Sequence, residues 1–139
     1  GLSTREAVAR ADKMIADVDL ADKADDRASR ISGGQLRRVG LAQVLIGQPE
    51  VLLLDEPTAG LDPAQRMRFR EVLERIPDNR VTVVSTHQVD DLTDGYDRVI
   101  VLSAGRIVFD GSPEEFLDLA PEDAPHRAEA AYLSLMVDE

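Results

Sequence analysis

The sequence VLLLDEP, residues 51–57, decides the fold of this 139-residue chain. Its four apolar residues follow one another without alternation, the pattern of a strand buried on both faces of a parallel sheet. The run ends at two adjacent carboxylates, Asp55 and Glu56, where α/β sheets bind their ligands. One carboxylate could face a phosphate-bound Mg²⁺ and the other an attacking water. Solvated acids that merely end a strand are equally common, so this stretch alone leaves both alternatives open.

Strands and helices alternate on both sides of this run. A second buried strand is predicted over Val81–Ser85 and a third over Val99–Leu102, followed by a hairpin turn at Ala104-Gly105 into residues 106–110. Apolar spacing, caps and breakers predict helices over residues 4–18, 35–46, 63–75 and 89–92, after Ser112, and beyond the stretch 121–125. Ser3 or Thr4 is the predicted cap of the first helix, and Asp62 is the predicted cap of the helix over 63–75. Alternation with short links predicts right-handed crossovers and an α/β sheet.

The composition narrows the classes of function. The net charge is −11 and aromatic residues make up 4% of the chain, which argues against a nucleic-acid groove. Without cysteine there is no disulfide or thiolate metal site. No apolar run approaches the roughly 20 residues of a membrane span, so a soluble, cytoplasmic chain is expected. An anionic ligand must therefore be held by local dipoles or by a partner.

The sequence ISGGQ, residues 31–35, offers such dipoles. It precedes a predicted helix, so the Ser32 hydroxyl and the N–H groups of Gly33, Gly34 and Gln35 can converge on an anion at the helix N-terminus. The alternative is an ordinary helix cap with a flexible Gly-Gly turn. Taken alone, the alternative is favoured.

Four motifs occur in a fixed order, and together they resemble the ATP-binding cassette (ABC) ATPases. ISGGQLRRVGLAQVL resembles the family signature, VLLLDEP the Walker B strand, AGLD at residues 59–62 the D-loop, and STH at residues 85–87 the segment of the switch histidine. The resemblance implies a partial P-loop NTPase fold, with a RecA-like parallel sheet and part of the ABC helical subdomain. It divides the chain into part of the helical signature subdomain, the C-terminal part of the RecA-like core, and a C-terminal linker with a helix, over residues 1–48, 49–120 and 121–139.

The resemblance also implies a role for each matching residue. Asp55 would hold Mg²⁺ through water, Glu56 would be the general base, and His87 would hydrogen-bond the γ-phosphate of ATP. In the family two ATPase domains enclose two ATP molecules, so residues 32–35 would contact the nucleotide of the opposite subunit and Asp62 would lie across the dimer interface. For a lone histidine a neutral structural role is the usual alternative.

Arg37 and Arg38 follow the signature and could be a phosphate-binding pair. A solvated helix face, with the signature helix packing on its other side, is the favoured interpretation.

The chain departs from the family in what holds the nucleotide. No GxxxxGK(S/T) loop occurs, and neither does an upstream aromatic residue for adenine or a Q-loop glutamine, since Gln43 and Gln48 follow the signature. The chain is therefore expected to be the C-terminal part of a longer ATPase and to be inactive alone. The resemblance places the strand that precedes the nucleotide-binding loop inside the central sheet. Because that strand is missing, we expect exposed apolar strand edges and faces, and a dimer, a domain swap or a rearranged sheet.

The resulting prediction is an ATP-binding and ATP-hydrolysing subunit of an ABC transporter. VVSTHQVDDL and GRIVFDGSPEEF are similar to exporter ATPases with separate membrane subunits, which favours export. The implied cofactors are ATP and Mg²⁺, and the implied partners are a second ATPase subunit, as a homodimer, and transmembrane permease subunits at the inner face of the membrane. A non-transport ABC ATPase acting on DNA or ribosomes is the first alternative, disfavoured by the acidic charge. A catalytically inactive interaction module is the second, disfavoured by Glu56 and His87.

Overall fold

The computed structural model describes residues 3–76, 80–89 and 95–136. The chain divides into two compact units between Ser85 and Thr86, and each is described by itself. The division into functional segments after residues 48 and 120 stays a prediction. In the described residues no helix combines the length and apolar character that a membrane crossing requires.

Helices dominate the first unit. It contains α1 (Thr4–Asp17), α2 (Gly33–Ile46), β1 (Val51–Asp55), α3 (Pro63–Arg75) and β2 (Val81–Ser85), with two short 3-10 turns at Ala21–Lys23 and Ala28–Arg30. The second unit contains β3 (Val99–Ser103), β4 (Arg106–Gly111), α4 (Pro113–Leu117) and α5 (Arg127–Met136). The predicted turn over residues 77–79 and most of the predicted helix over 89–92 lie outside the described residues.

Polar caps start the helices, as the sequence predicts. Ser3 and Ser112 each close a reciprocal capping box with the glutamate three residues later, and Asp62 caps α3 ahead of a proline in its first turn. Each box satisfies N–H groups that have no partner inside the helix. The prediction for α2 is wrong by two residues, because Gly33 and Gly34 form its first turn instead of preceding it.

The strands β1 and β2 pair in parallel, and their register sets the two faces of the sheet. Val51 is opposite Val81, Leu53 is opposite Val83, and Asp55 is opposite Ser85. Leu52, on the other face, is 1% exposed. It belongs to a core shared with α1, α2 and α3, made by Val18, Leu20, Leu41, Ala42, Leu45, Leu52, Phe69 and Val72.

The prediction that both faces of these strands are buried is wrong. Leu53 is 71% exposed, and Val51, Val81 and Val83 on the same face are 54%, 61% and 50% exposed. The core formed by the helices includes only the face that carries Leu52. The exposed apolar sheet surface expected from the missing nucleotide-binding strand is thereby confirmed. We call these four residues the open sheet face.

The second unit is built on a hairpin with two helices. β3 pairs antiparallel with β4, as the predicted hairpin requires. The predicted turn is confirmed: Ala104 and Gly105 both have positive φ, 46° and 76°, as a two-residue hairpin requires. Val99 and Val101 are buried in a core with Phe116 of α4 and residues of α5.

Candidate functional site

Asp55 and Glu56 lie at the end of β1, where the register places them beside Ser85 of β2. The Ser85 hydroxyl donates a hydrogen bond to Oδ1 of Asp55. The backbone N–H of Glu56 donates to the Ser85 carbonyl at 3.0 Å and lies 3.3 Å from the Ser85 hydroxyl oxygen, which also accepts from it. One serine therefore contacts both predicted site residues, through the carboxylate of Asp55 and the backbone N–H of Glu56. The sequence alone predicts no role for Ser85, although this residue belongs to the STH motif and ends a predicted strand.

The backbone at Glu56 is unusual. Its φ is 46°, in the left-handed region that a residue with a side chain rarely adopts. Such conformations cost about 1–3 kcal/mol and persist where the surrounding structure imposes them, often at functional sites. Here the imposing contacts are the two hydrogen bonds to Ser85 and a turn in which Ala59 N–H donates to the Glu56 carbonyl at 3.1 Å. β1 ends at Asp55, and Glu56 lies in the turn that follows. The side chain of Glu56 is half-buried.

The chemistry of Asp55 fits a magnesium ion that is bound partly by the protein and partly by the phosphates of a nucleotide. Mg²⁺ keeps several waters and is bound by one or two carboxylates together with phosphate oxygens. Asp55 is an exposed carboxylate, and the hydrogen bond from Ser85 uses only its Oδ1. Among residues 3–76, 80–89 and 95–136, no group of three or more His, Cys, Asp or Glu side chains could hold a metal by itself. One exposed carboxylate therefore fits a Mg²⁺ ion that takes its other ligands from water and phosphate oxygens.

The predicted anion site at residues 32–35 is a closed capping box. The Ser32 hydroxyl oxygen accepts from the Gln35 N–H at 3.2 Å, and Gln35 Oε1 accepts from the Ser32 N–H at 2.7 Å. The hydroxyl proton of Ser32 is still available to donate, as are the N–H groups of Gly33 and Gly34, which have no partner within a helix. The ordinary helix cap that was the alternative to an anion site is therefore present. It leaves three hydrogen-bond donors at the N-terminus of α2.

The two glycines of this turn differ in what surrounds them. A Cβ added to Gly34 would lie 3.0 Å from the side chain of Gln65, whereas a Cβ on Gly33 would meet nothing within 4 Å. Gln65 belongs to the first turn of α3, and its N–H donates to Asp62 Oδ1 at 2.9 Å. The first turn of α3 and the signature turn therefore meet at Gln65. Asp62 has a structural role as a helix cap, and its place in a dimer interface stays a prediction.

Arg38 lies inside the protein, so the prediction of a solvated helix face is wrong for this residue. It is 8% exposed, and its Nη1 donates to the carbonyl oxygens of Val18 at 2.8 Å and Asp19 at 3.0 Å. Burial lowers the pKa of Arg38 below its usual value, although the side chain stays charged. Arg37 is exposed, as predicted. Arg38 therefore joins α2 to the end of α1.

His87 belongs to the second unit, as its second residue, and its side chain is exposed. The preceding Thr86 shapes the chain there, because its hydroxyl oxygen accepts from the Gln88 N–H at 3.0 Å. The role of His87 at a γ-phosphate stays a prediction.

Comparison with known proteins identifies the setting of these motifs. A family model described as "ABC transporter" matches residues 3–59. The chain is 44% identical over 118 residues to the energy-coupling factor transporter ATP-binding protein EcfA2 of Lacticaseibacillus paracasei, covering 83% of this chain and 41% of that protein. It is 44% identical over 116 residues to the phosphonates import ATP-binding protein PhnC of Thiobacillus denitrificans, covering 82% of this chain and 45% of that protein.

A solved structure shares the fold. CbiO1 of Clostridium perfringens, described as part of the ABC transporter complex CbiONQ, superposes with a TM-score of 0.79 and 32% identity, over 85% of this chain and 48% of that one. The mixed fold of helices and a parallel strand pair is therefore that of part of a P-loop NTPase. The chain spans less than half the length of the relatives it matches.

Proposed function

Because this chain belongs to the family of ABC transporter ATP-binding proteins, we propose that it supplies the carboxylates, the signature turn and the switch histidine of a transport ATPase. The observation that carries the proposal is the strand-end arrangement of Asp55, Glu56 and Ser85. It lies in the same compact unit as the capped turn at residues 32–35. A strand end with two carboxylates and a helix N-terminus with unused donors are the parts that phosphoryl transfer to water requires.

The nucleotide is held by a segment outside these 139 residues. No nucleotide-gripping loop occurs in the sequence, and the relatives are more than twice as long as the matched region. The open sheet face supports the same proposal, since an apolar surface of this kind beside a candidate site normally carries another layer of structure. The chain alone is inactive in this proposal.

Each residue then has a chemical role. Mg²⁺, when bound, neutralises phosphate charge, and Asp55 holds it through water. Glu56 orients the attacking water and accepts its proton. The signature turn contacts a γ-phosphate that is held by a second ATPase subunit, and it consists of Ser32, Gly33, Gly34 and Gln35. The two subunits form a homodimer, and Asp62 lies at their interface. His87 donates a hydrogen bond to the γ-phosphate of its own subunit.

The transport partners are permease subunits in the membrane, with the ATPase at its cytoplasmic face. The export direction expected from the sequence has no support among the relatives named above, one of which is named for phosphonate import. We therefore assign the chain to an importer-type system. The alternative of an ATPase acting on DNA or ribosomes also has no support among them, and the acidic charge of −11 disfavours it.

The replacement Glu56→Gln in the complete ATPase tests the proposal. It keeps the shape of the side chain and removes the proton acceptor, so kcat should fall by about 10²- to 10⁴-fold while ATP binding persists. Glu50→Gln is the matched control, because Glu50 is an exposed glutamate just before the opposite end of β1. The proposal fails if the Glu56 variant hydrolyses ATP at the wild-type rate. Steady ATP turnover by the 139-residue chain alone would refute the assignment of the nucleotide grip to another segment.

A further inference from the structure

Ser85 is the one polar residue on its face of β2. On the face it shares with Val81 and Val83, the register places it opposite Asp55, at the carboxyl end of the sheet. A third valine there would continue the apolar face and leave Asp55 without this donor. The hydroxyl therefore stands where the sheet meets the candidate site.

The hydrogen bonds of Ser85 use its hydroxyl as both donor and acceptor. The proton goes to Asp55 Oδ1, while the oxygen accepts from the Glu56 N–H at 3.3 Å. The Ser85 carbonyl also accepts from that N–H at 3.0 Å. The first bond fixes the rotation of the Asp55 carboxylate, and the other two hold Glu56 where its φ is 46°. An alanine would keep only the carbonyl contact.

We propose that Ser85 is a positioning residue of the ATPase site, which sets the orientation of Asp55 toward Mg²⁺ and of Glu56 toward the attacking water through one hydroxyl. The inference rests on the proposed function and adds to it a residue that touches neither nucleotide nor metal. Positioning within a fraction of an ångström strongly affects rate, so the loss of this hydroxyl should lower kcat more than it weakens ATP binding.

The first measurement uses the 139-residue chain without nucleotide. In Ser85→Ala, amide hydrogen exchange at Glu56, followed by NMR, should be about 2- to 10-fold faster, the range of one lost hydrogen bond. Ser85→Thr keeps a hydroxyl on a β-branched side chain suited to a strand and should exchange as the wild type. Thr82→Ala, which removes a hydroxyl from the opposite face of the same strand, is the control. Unchanged exchange in Ser85→Ala would overturn the hydrogen-bond role.

The second measurement uses the complete ATPase. Ser85→Ala should lower kcat by about 10-fold and raise the Mg²⁺ concentration for half-maximal activity, with KM for ATP changed less than about twofold, and Ser85→Thr should restore activity. If Ser85→Ala does not fold, Ser85→Cys takes its place, because a thiol is a weaker donor of similar size. Wild-type kcat and Mg²⁺ dependence in these variants would overturn the inference and leave the proposed function intact. A wild-type protein that hydrolyses no ATP would refute the proposed function and the positioning role with it.

Discussion

Replacement of Arg38 by alanine should destabilise the first unit far more than replacement of its neighbour Arg37. The Arg38 guanidinium donates to two carbonyl oxygens at the end of α1, and one of them belongs to Val18, which is fully buried. A hydrogen bond from a charged donor contributes about 1.5–3 kcal/mol, and a buried carbonyl left without a donor costs about 1–3 kcal/mol. Because a single nitrogen makes both bonds, these terms overlap, and we expect a loss of about 2–4 kcal/mol.

Urea unfolding followed by circular dichroism measures this loss, because α1, α2 and α3 all lie in the first unit. With a slope of about 2 kcal/mol per molar urea, the middle of the usual range, the midpoint should fall by roughly 1–2 M. Arg37→Ala is the control and should stay within about 0.5 kcal/mol of the wild type, because Arg37 is exposed. The chain has no tryptophan, and both tyrosines, Tyr96 and Tyr132, lie in the second unit. Tyrosine fluorescence therefore reports on that unit separately.

Unfolding of the Arg38→Ala and Arg37→Ala variants at the same urea concentration would refute a stabilising role for the buried guanidinium. Equal midpoints would mean that water replaces the guanidinium at the carbonyls of α1 without loss, and that the burial of Arg38 contributes nothing to stability.

Three further predictions concern charge, backbone and surface. The hydrogen bond from Arg75, followed by the nearby positive charges, lowers the pKa of Asp19 from its usual value of 3.8. The ion pair should therefore stabilise the chain by about 0.2–1 kcal/mol above pH 4 and lose this effect as the pH falls through the lowered pKa. Asp19→Asn should reduce the fall of the urea midpoint between pH 7 and pH 3, and the remaining fall comes from other carboxylates with a lowered pKa, such as Glu6 and Asp110. Gly33→Ala should raise the thermal stability of the chain by about 0.4–1 kcal/mol, since its backbone is helical and the space is open, and calorimetry showing a loss would contradict this. The 139-residue chain should self-associate through the open sheet face, so Leu53→Lys should shift it toward monomer in sedimentation velocity while Leu133→Lys, in the other unit, does not; a monomeric wild type at high concentration would contradict it.

The sequence predicted the local features of the fold because their contacts span few residues. The caps at Ser3, Asp62 and Ser112 each bond to a group three residues later, and the turn at Ala104-Gly105 follows from a two-residue link between strands. The two carboxylates at the end of β1 can be predicted in the same way, because they directly follow its apolar run. The hydrogen bonds of the caps and the turn form wherever the local chain adopts its preferred conformation, so the residue pattern is sufficient to predict them.

Burial and the exact site geometry depended on the tertiary structure. An apolar run such as Val51–Leu54 reads the same whether one face or two are covered, and only the arrangement of helices decides which. The contacts of Arg38 with the end of α1 and of Ser85 with Asp55 join residues 20 and 30 positions apart. The sequence by itself determined that a strand ends in two carboxylates. The contacts of Ser85 with Asp55 and Glu56 were decided by strand register, because pairing across a sheet joins residues that no local pattern connects.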